Sequence, residues 1–234
     1  MKTEVLPDSA AVAASAAKFI AGEAAAAVAA RGIFTVAVSG GKTPWVMLRD
    51  LAGLSLPWEH VHIFQVDERV APAGHPDRNL THLRESLLDN TVVKPENIHA
   101  MPVEETDPKA ATGLYSQLLR QFAGTPPILD LVHLGLGPDG HTASLTPNDP
   151  ALDVTDTDVA ITNPYQGRIR MTLTYPVLNR ARRILWLVTG AEKVPMLARL
   201  QQGDHSIPAG RISRDQAIVL ADRDAAGTGT GTGQ

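Results

Sequence analysis

The chain alternates short apolar runs with longer helical segments, and this alternation restricts it to the α/β class. Four runs have the composition of buried strands: residues 33–38 (IFTVAV), 61–66 (VHIFQV), 129–134 (LDLVHL) and 184–189 (ILWLVT). Short apolar runs rich in β-branched residues are typical of strands covered on both faces. Strands separated by helices form a mainly parallel sheet. We therefore predict a single doubly wound, Rossmann-like sheet flanked by helices.

Helix-start and helix-stop signals lie between these runs. Asp8 and Ser9 can cap a helix that continues to about Ala30 and stops at Arg31-Gly32, and Thr43-Pro44 opens the next helix. Four further helices are predicted over residues 80–88, 108–122, 176–181 and 191–201, and extended segments over 171–174 and 217–220.

Length and composition indicate one domain. The 234 residues are 44% hydrophobic, which suffices for one sizeable core. We predict a single domain over residues 1–226. The low-complexity segment GTGTGTGQ at 227–234 has no apolar anchors, and we predict that it is a disordered tail.

Charge and cysteine usage narrow the function classes. The formal net charge of −4 provides no general attraction to nucleic acid or to an anionic membrane. The chain has no cysteine, which excludes disulfides, thiolate metal sites and cysteine nucleophiles. The apolar stretch 10–30 carries Lys18 and Glu23, both costly inside a bilayer, so a packed helix is the better interpretation. We expect a soluble cytoplasmic protein, and the sequence does not indicate a protein partner.

A glycine turn follows the first predicted strand. In SGGKTP (39–44), backbone N–H groups at Gly40 and Gly41 and the hydroxyl of Thr43 can bind a phosphate at a helix start. A nucleotide P-loop would need glycine at position 36, where the chain has valine. A tight turn without a ligand remains the alternative.

A second glycine-rich turn, GLGPDGHT (135–142), follows the third predicted strand. Its G-x-G-x-x-G spacing suits a dinucleotide only if a long helix follows, and Pro147 and Pro150 interrupt the chain instead. His141 in this turn can act as a general base near neutral pH, with a carboxylate fixing its orientation. A structural loop histidine is the alternative.

Charged residues follow the remaining strand ends. Asp67-Glu68-Arg69 comes directly after the second strand, where a solvated loop with local ion pairs is the alternative to a site. Because ligands of such sheets bind beyond the carboxyl ends of the strands, we expect the three strand ends to converge on one site. A basic region suited to phosphate follows later, and spacing does not select among its members: Arg168, Arg170, Arg180, Arg182, Arg183 and Lys193.

Six ordered segments together carry a resemblance. They are SGGKTP (39–44), DERV (67–70), DRN (77–79), LGLGPDGHTASL (134–145), RMTLTYPVLNRAR (170–182) and VTGAEK (188–193). The chain resembles the 6-phosphogluconolactonase family, whose fold is shared with glucosamine-6-phosphate deaminases. The resemblance covers about Leu6 to Leu220. It implies hydrolysis of 6-phospho-D-glucono-1,5-lactone, a small phosphosugar lactone, without a cofactor or metal.

The resemblance also implies residue roles. His141 becomes the base, with Asp139 or Asp67 holding its ring. Gly40, Gly41 and Thr43 become the phosphate loop. Arg170 and Lys193 become phosphate ligands, and Arg69 a donor to the substrate. Many relatives read P-P-x-R before T-L-T; here the chain has QGRIR (166–170), which leaves Arg168 either an extra phosphate contact or a bystander.

Two other functions stay open. Related deaminases have a turn similar to DGHIAFNEP, whose glutamate takes part in ring opening; this chain has Thr146 at that position, and Arg69 where they carry a tyrosine. A hydroxyl cannot replace a carboxylate in proton transfer near neutral pH. A non-catalytic phosphosugar-binding protein would keep the glycine loop without needing His141.

Overall fold

The structure, a computed structural model, describes residues 1–228 and contains a seven-stranded and a three-stranded sheet. The strands within these residues are β1 (Lys2–Leu6), β2 (Phe34–Val38), β3 (Val61–Gln65), β4 (Asp67–Arg69), β5 (Ile98–His99), β6 (Leu131–Gly135), β7 (Val159–Ile161), β8 (Arg170–Leu173), β9 (Arg183–Val188) and β10 (Ala217–Asp222). The α-helices are α1 (Ser9–Arg31), α2 (Lys42–Ala52), α3 (Asn79–Ser86), α4 (Pro108–Ala123), α5 (Tyr175–Arg180) and α6 (Val194–Gln202).

The larger sheet has the strand order β1-β10-β9-β6-β2-β3-β5, and all of its neighbouring strands are parallel. Helices cover both faces. On one face Val36 of β2 packs with Ile20 of α1 and Leu48 of α2. On the other face Ala37 belongs to the cluster that contains Tyr115 of α4. The predicted doubly wound α/β fold is confirmed.

Helix α1 begins and ends as the sequence predicts. The Asp8 carboxylate accepts a hydrogen bond from the backbone N–H of Ala11 at 2.8 Å, and Gly32 ends the helix with φ of 76°. By length and hydropathy α1 could cross a membrane. In this structure it contacts α2 and β10, and its buried residues are Val12, Ala13, Ala16, Ala17, Ile20, Ala24 and Ala27.

The smaller sheet was not predicted, although the extended segment expected at 171–174 corresponds to its strand β8. It is antiparallel, with the order β4-β8-β7. Its strands are only three or four residues long, and β4 consists of three charged residues, so neither length nor apolar pattern marks it in the sequence. Strand β1, which was also not predicted, lies at the edge of the large sheet beside β10.

The chain turns once more after β10. The backbone N–H of Gly227 donates to the carbonyl of Asp224 at 3.1 Å, and that of Thr228 donates to Arg223 at 3.0 Å. These two residues of the predicted tail are therefore hydrogen-bonded. The rest of that tail, 229–234, lies outside the described residues.

A histidine pair lies in the core between β3 and β5. The Nδ1 atom of His62 lies 3.0 Å from Nε2 of His99, and the His99 ring packs against Phe64 and Phe122 at centroid distances of 4.3 and 4.5 Å. Burial, and secondarily the charge of His62, lower the pKa of His99 to about 4.

We predict that this pair makes the protein acid-sensitive. A folded-state pKa below the unfolded value means that the unfolded chain binds protons first, so stability is complete above about pH 6.5 and falls towards pH 4. The free energy of unfolding of the wild type should fall between pH 7 and pH 4.5, and His99→Gln should make this fall smaller by on the order of 2 kcal/mol. Urea unfolding at both pH values measures the free energy, with the exposed His205→Gln as control. Equal losses in wild type and His99→Gln would contradict the prediction.

Candidate functional site

A cavity of about 240 Å³ opens beyond the carboxyl ends of β2, β6 and β9 and beside β4. The three strand ends that the sequence predicts to converge, after β2, β3 and β6, each contribute residues to its lining. Its lining residues are Ser39, Gly40, Asp67, Arg69, Asn79, Gly135, Leu136, Gly137, Pro138, His141, Ala143, Arg170 and Lys193.

The glycine turn after β2 is held from below by a buried histidine. The backbone N–H of Ser39 donates to Nδ1 of His133 at 3.2 Å, and its hydroxyl donates to the His133 carbonyl at 2.9 Å. Gly40 lies against the Asn79 amide so closely that a Cβ would overlap Oδ1. Gly41 has φ of 136°, which favours glycine. The turn therefore needs both glycines, but only Gly40 lines the cavity.

Thr43 has a hydrogen-bond partner of its own. Its Oγ1 lies 2.8 Å from Oγ1 of Thr189, and Thr43 is not among the residues that line the cavity. The hydroxyl joins the start of α2 to the end of β9, and its predicted role as a phosphate ligand stays a prediction. Of the predicted phosphate loop, the structure brings Gly40 to the cavity.

The His141 ring is held by Asp139. Nδ1 of His141 lies 2.5 Å from Oδ1 of Asp139, which also accepts from the His141 backbone N–H at 3.2 Å. The other carboxylate oxygen accepts from the Tyr165 hydroxyl at 3.1 Å. Partial burial opposes ionisation of Asp139, but the charge of His141 and these hydrogen bonds together hold its pKa below the ordinary value. The carboxylate therefore orients the imidazole from the Nδ1 side.

Asp67, the other candidate for this task, has different partners. It is buried, accepts from the Ser144 hydroxyl at 2.5 Å, and lies 3.4 Å from the Asn79 amide nitrogen. Burial raises the pKa of Asp67, while Arg69 and the Ser144 hydrogen bond act in the opposite direction. Of the two carboxylates that the sequence left open, the geometry places Asp139 on the imidazole and Asp67 in the cavity wall.

Two arginines lie side by side because β4 pairs with β8. Arg69 is directly opposite Arg170 in that register. Arg170 is only 4% exposed, its Nε atom has no partner among the described residues, and its nearest acceptors are 3.4 Å away. Burial, and then the charge of Arg69, lower the pKa of Arg170. Two adjacent, incompletely paired guanidinium groups favour an anion in the cavity.

Lys193 adds a third cation at the end of β9. It lies in the short 3₁₀ helix Ala191–Lys193 that precedes α6. Its Nζ is 3.9 Å from the Glu192 carboxylate, and the Glu192 side chain is 64% exposed, so this pairing is weak. Arg69, Arg170 and Lys193 together give the cavity a positive charge.

Arg168 lies outside the cavity. Its guanidinium forms two 2.9 Å contacts with the Asp77 carboxylate and lies 3.3 Å from Nε2 of His75. The hydrogen bond and charge of Arg168 hold the pKa of Asp77 below its ordinary value. Arg168 and Arg170 are separated by a single residue, but the structure brings only Arg170 to the cavity.

Residues that the sequence interpretation did not assign complete the site. Glu68 is fully buried, contrary to a solvated loop, and accepts from the backbone N–H groups of Arg69 (2.8 Å), Asn79 (2.7 Å) and Leu80 (2.8 Å). The Asn79 side chain accepts from Arg69 at 2.8 Å. Tyr165 contacts Asp139 from a turn more than twenty residues away. The motif segments DERV and DRN contain Glu68 and Asn79, but sequence alone does not show that these two residues are in contact, and no motif marks Tyr165.

A metal centre finds no support in residues 1–228, where no group of three or more histidine or acidic side chains could hold an ion. The polar groups of the cavity are instead an oriented imidazole, guanidinium groups and a lysine. Such a set can bind an anionic group and transfer a proton near it.

Sequence comparison connects this site to known proteins. Residues 7–220 match the family described as glucosamine-6-phosphate isomerases/6-phosphogluconolactonase. A 6-phosphogluconolactonase of Nostoc sp. is 40% identical over 201 residues, covering 84% of this chain and 83% of the relative. A 6-phosphogluconolactonase of Mycobacterium tuberculosis is 37% identical over 237 residues, covering 95% of this chain and 96% of the relative.

Structure comparison agrees with this. The crystal structure of a 6-phosphogluconolactonase from Thermotoga maritima superposes with a TM-score of 0.83 at 26% identity. The superposition covers 94% of this chain and 98% of that one. The similarity in fold therefore extends over nearly the whole of both chains.

Proposed function

The chain belongs to the glucosamine-6-phosphate isomerase/6-phosphogluconolactonase family, and on this premise we propose that it hydrolyses 6-phospho-D-glucono-1,5-lactone to 6-phospho-D-gluconate. The resemblance places this reaction in the oxidative pentose phosphate pathway. The observation that carries the proposal is the oriented Asp139–His141 pair in a cavity with three cations. Lactonase names among relatives at 37–40% identity support the choice within the family.

The phosphate and the lactone make different demands on the cavity. We assign the phosphate to Arg170 and Lys193, with the backbone of Gly40 as a further donor, because charge-assisted hydrogen bonds are the strongest available. Arg69 is the donor that we assign to the oxygen of the lactone carbonyl, where negative charge develops. Among the described residues, both hydrogen bonds of its guanidinium come from Nη1, to the Asp77 carbonyl and the Asn79 side chain, which leaves Nη2 for this bond.

His141 supplies the proton transfers. Asp139 accepts the Nδ1–H bond, so Nε2 carries the free lone pair and takes a proton from water. The water oxygen bonds to C1, and the carbonyl electrons move to the oxyanion. As that intermediate collapses, the bond from C1 to the ring oxygen breaks and His141 returns the proton to this oxygen. The products are a carboxylic acid and a free hydroxyl, which balances the hydrolysis.

Thr146 stands where related deaminases have a glutamate, and this favours a lactone substrate over an amino-sugar phosphate. Thr146 is buried in the turn that follows His141. A hydroxyl there has no useful pKa for the proton transfers of ring opening. The sequence's expectations of no cofactor, a cytoplasmic location and no nucleic acid or membrane partner remain predictions, as does the single domain.

The substrate is tested with one purified sample. We expect lactone hydrolysis above the spontaneous rate, measured as acid production. We expect no ammonia release from glucosamine 6-phosphate. Ammonia release with only background lactone hydrolysis would replace the proposal with a deaminase. Binding of 6-phosphogluconate without either reaction would indicate a non-catalytic binding protein.

The phosphate ligand is tested by Arg170→Ala. Loss of a charge-assisted hydrogen bond should raise KM for the lactone roughly tenfold to a hundredfold, with the circular dichroism spectrum retained. Arg168→Ala should raise KM far less, because Arg168 pairs with Asp77 outside the cavity. The exposed Arg84→Ala is the matched control. A folded Arg170→Ala enzyme with the wild-type KM would show that Arg170 does not hold the phosphate.

The base is tested by His141→Asn. General-base catalysis contributes on the order of 10²–10⁴-fold in rate, so kcat should fall on that scale while 6-phosphogluconate still binds. Isothermal titration measures the binding, and His205→Asn at an exposed position controls for the loss of a histidine. A variant that keeps the wild-type kcat would remove His141 from the mechanism without affecting the family assignment.

A further inference from the structure

Tyr165 contacts both functional parts of the cavity without lining it. Its hydroxyl donates to Oδ2 of Asp139 at 3.1 Å, and its ring lies edge-on to the His141 ring with centroids 5.4 Å apart. The Arg170 guanidinium carbon lies 4.9 Å from the centroid of the same ring. The Tyr165 side chain therefore contacts both Asp139, which orients His141, and Arg170, which we assign to the phosphate.

The backbone fixes Tyr165 in this place. Tyr165 and Arg168 exchange backbone hydrogen bonds of 2.9 and 3.2 Å across a two-residue turn. The central residues Gln166 and Gly167 both have positive φ, 52° and 78°, as in a type I′ hairpin turn. The Arg168–Asp77 ion pair connects this turn to the loop that precedes α3. The turn thus carries Tyr165 as a fixed support.

We propose that Tyr165 is a positioning residue with two separable parts: its hydroxyl fixes Asp139 and thereby His141, and its ring fixes Arg170. The inference rests on the proposed lactone hydrolysis. Tyr165 directly precedes the segment 166–170, where the chain departs from the P-P-x-R pattern of many relatives, and it is not part of the motifs that carry the resemblance.

The hydroxyl completes the support of the base. One oxygen of Asp139 bonds to His141 and the other to Tyr165, so the carboxylate is held at both ends. Without the hydroxyl, the carboxylate can rotate and the imidazole loses its fixed direction. Burial, and secondarily the charge of Asp139, raise the pKa of Tyr165, so the phenol stays protonated and remains a donor at neutral pH.

The Tyr165 ring acts on Arg170. A guanidinium over an aromatic face is stabilised by the ring quadrupole. The hydrogen bonds of Arg170 to the Tyr165 carbonyl and the Gln166 side chain are both 3.4 Å long, and the Tyr165 ring lies against its guanidinium. Removal of the hydroxyl should therefore change turnover, and removal of the ring should also change substrate binding.

Two variants separate these parts in steady-state lactone hydrolysis. Tyr165→Phe should lower kcat roughly threefold to thirtyfold, which is less than the loss of a direct hydrogen bond to a charged group because the hydroxyl acts through Asp139, with KM within about twofold of wild type. Tyr165→Leu should show the same loss of kcat and, in addition, a KM raised about fivefold. Tyr175→Phe is the matched control, because it deletes a buried hydroxyl that donates to the Pro208 carbonyl outside the cavity; kcat should be retained.

A double-mutant cycle shows whether the hydroxyl acts through Asp139. In the Asp139→Asn background, Tyr165→Phe should cause little further loss of kcat, because the group that it positions is already disabled. An unchanged kcat in Tyr165→Phe, or the same fold-loss in both backgrounds, would overturn the inference. Tyr165→Phe removes one oxygen atom, so it decides the matter even if Tyr165→Leu fails to fold. Wild type without lactonase activity would instead refute the proposed function, and the role of Tyr165 with it.

Discussion

The site depends on one buried carboxylate, that of Glu68. It accepts three backbone N–H bonds, two from the start of α3 and one from Arg69, a side-chain bond from Gln65 at 2.8 Å, and lies 3.2 Å from Nε of Arg78. A buried charge is tolerated only when its hydrogen-bonding capacity is filled and its charge is paired; here four donors fill that capacity and Arg78 supplies the opposite charge. Because Glu68 lies between Asp67 and Arg69, fixing it places both neighbours in the cavity wall and brings Asn79 beside Gly40.

The second constraint is the small antiparallel sheet. Pairing of β4 with β8 sets Arg69 opposite Arg170 beside the cavity, with Arg170 buried and Arg69 partly exposed. Like charges at paired positions are destabilising, and Arg170 lacks close acceptors among the described residues. Such a local conflict is expected at a functional site, where an anionic ligand supplies the missing partner. The large sheet thus builds the floor of the cavity, and the small sheet supplies two of its three cations, Arg69 and Arg170.

The sequence predicts the parts of this protein whose signals are local. Local signals include the continuous apolar runs of β2, β3, β6 and β9 and the cap residues of α1. The carboxyl ends of parallel strands lie at one edge of the sheet, so these signals also predict where the site lies. Short polar strands such as β4 carry no such pattern, since pairing with β8 a hundred residues later defines them. The choice between Asp139 and Asp67, and between Arg170 and Arg168, depends on the same long-range geometry. Thr43 matched a phosphate-binding pattern, but its hydroxyl is bonded to Thr189, which lies on a different strand end.

The most direct test of the proposed site is a crystal structure with bound 6-phosphogluconate. The phosphate should lie within hydrogen-bonding distance of Arg170 and Lys193, and the C1 carboxylate should lie beside Nε2 of His141 and Arg69. That arrangement places the reacting carbon at the oriented imidazole. A phosphate bound at His141, with C1 beside Lys193, would contradict the assigned roles. A ligand bound outside the cavity would contradict the site itself.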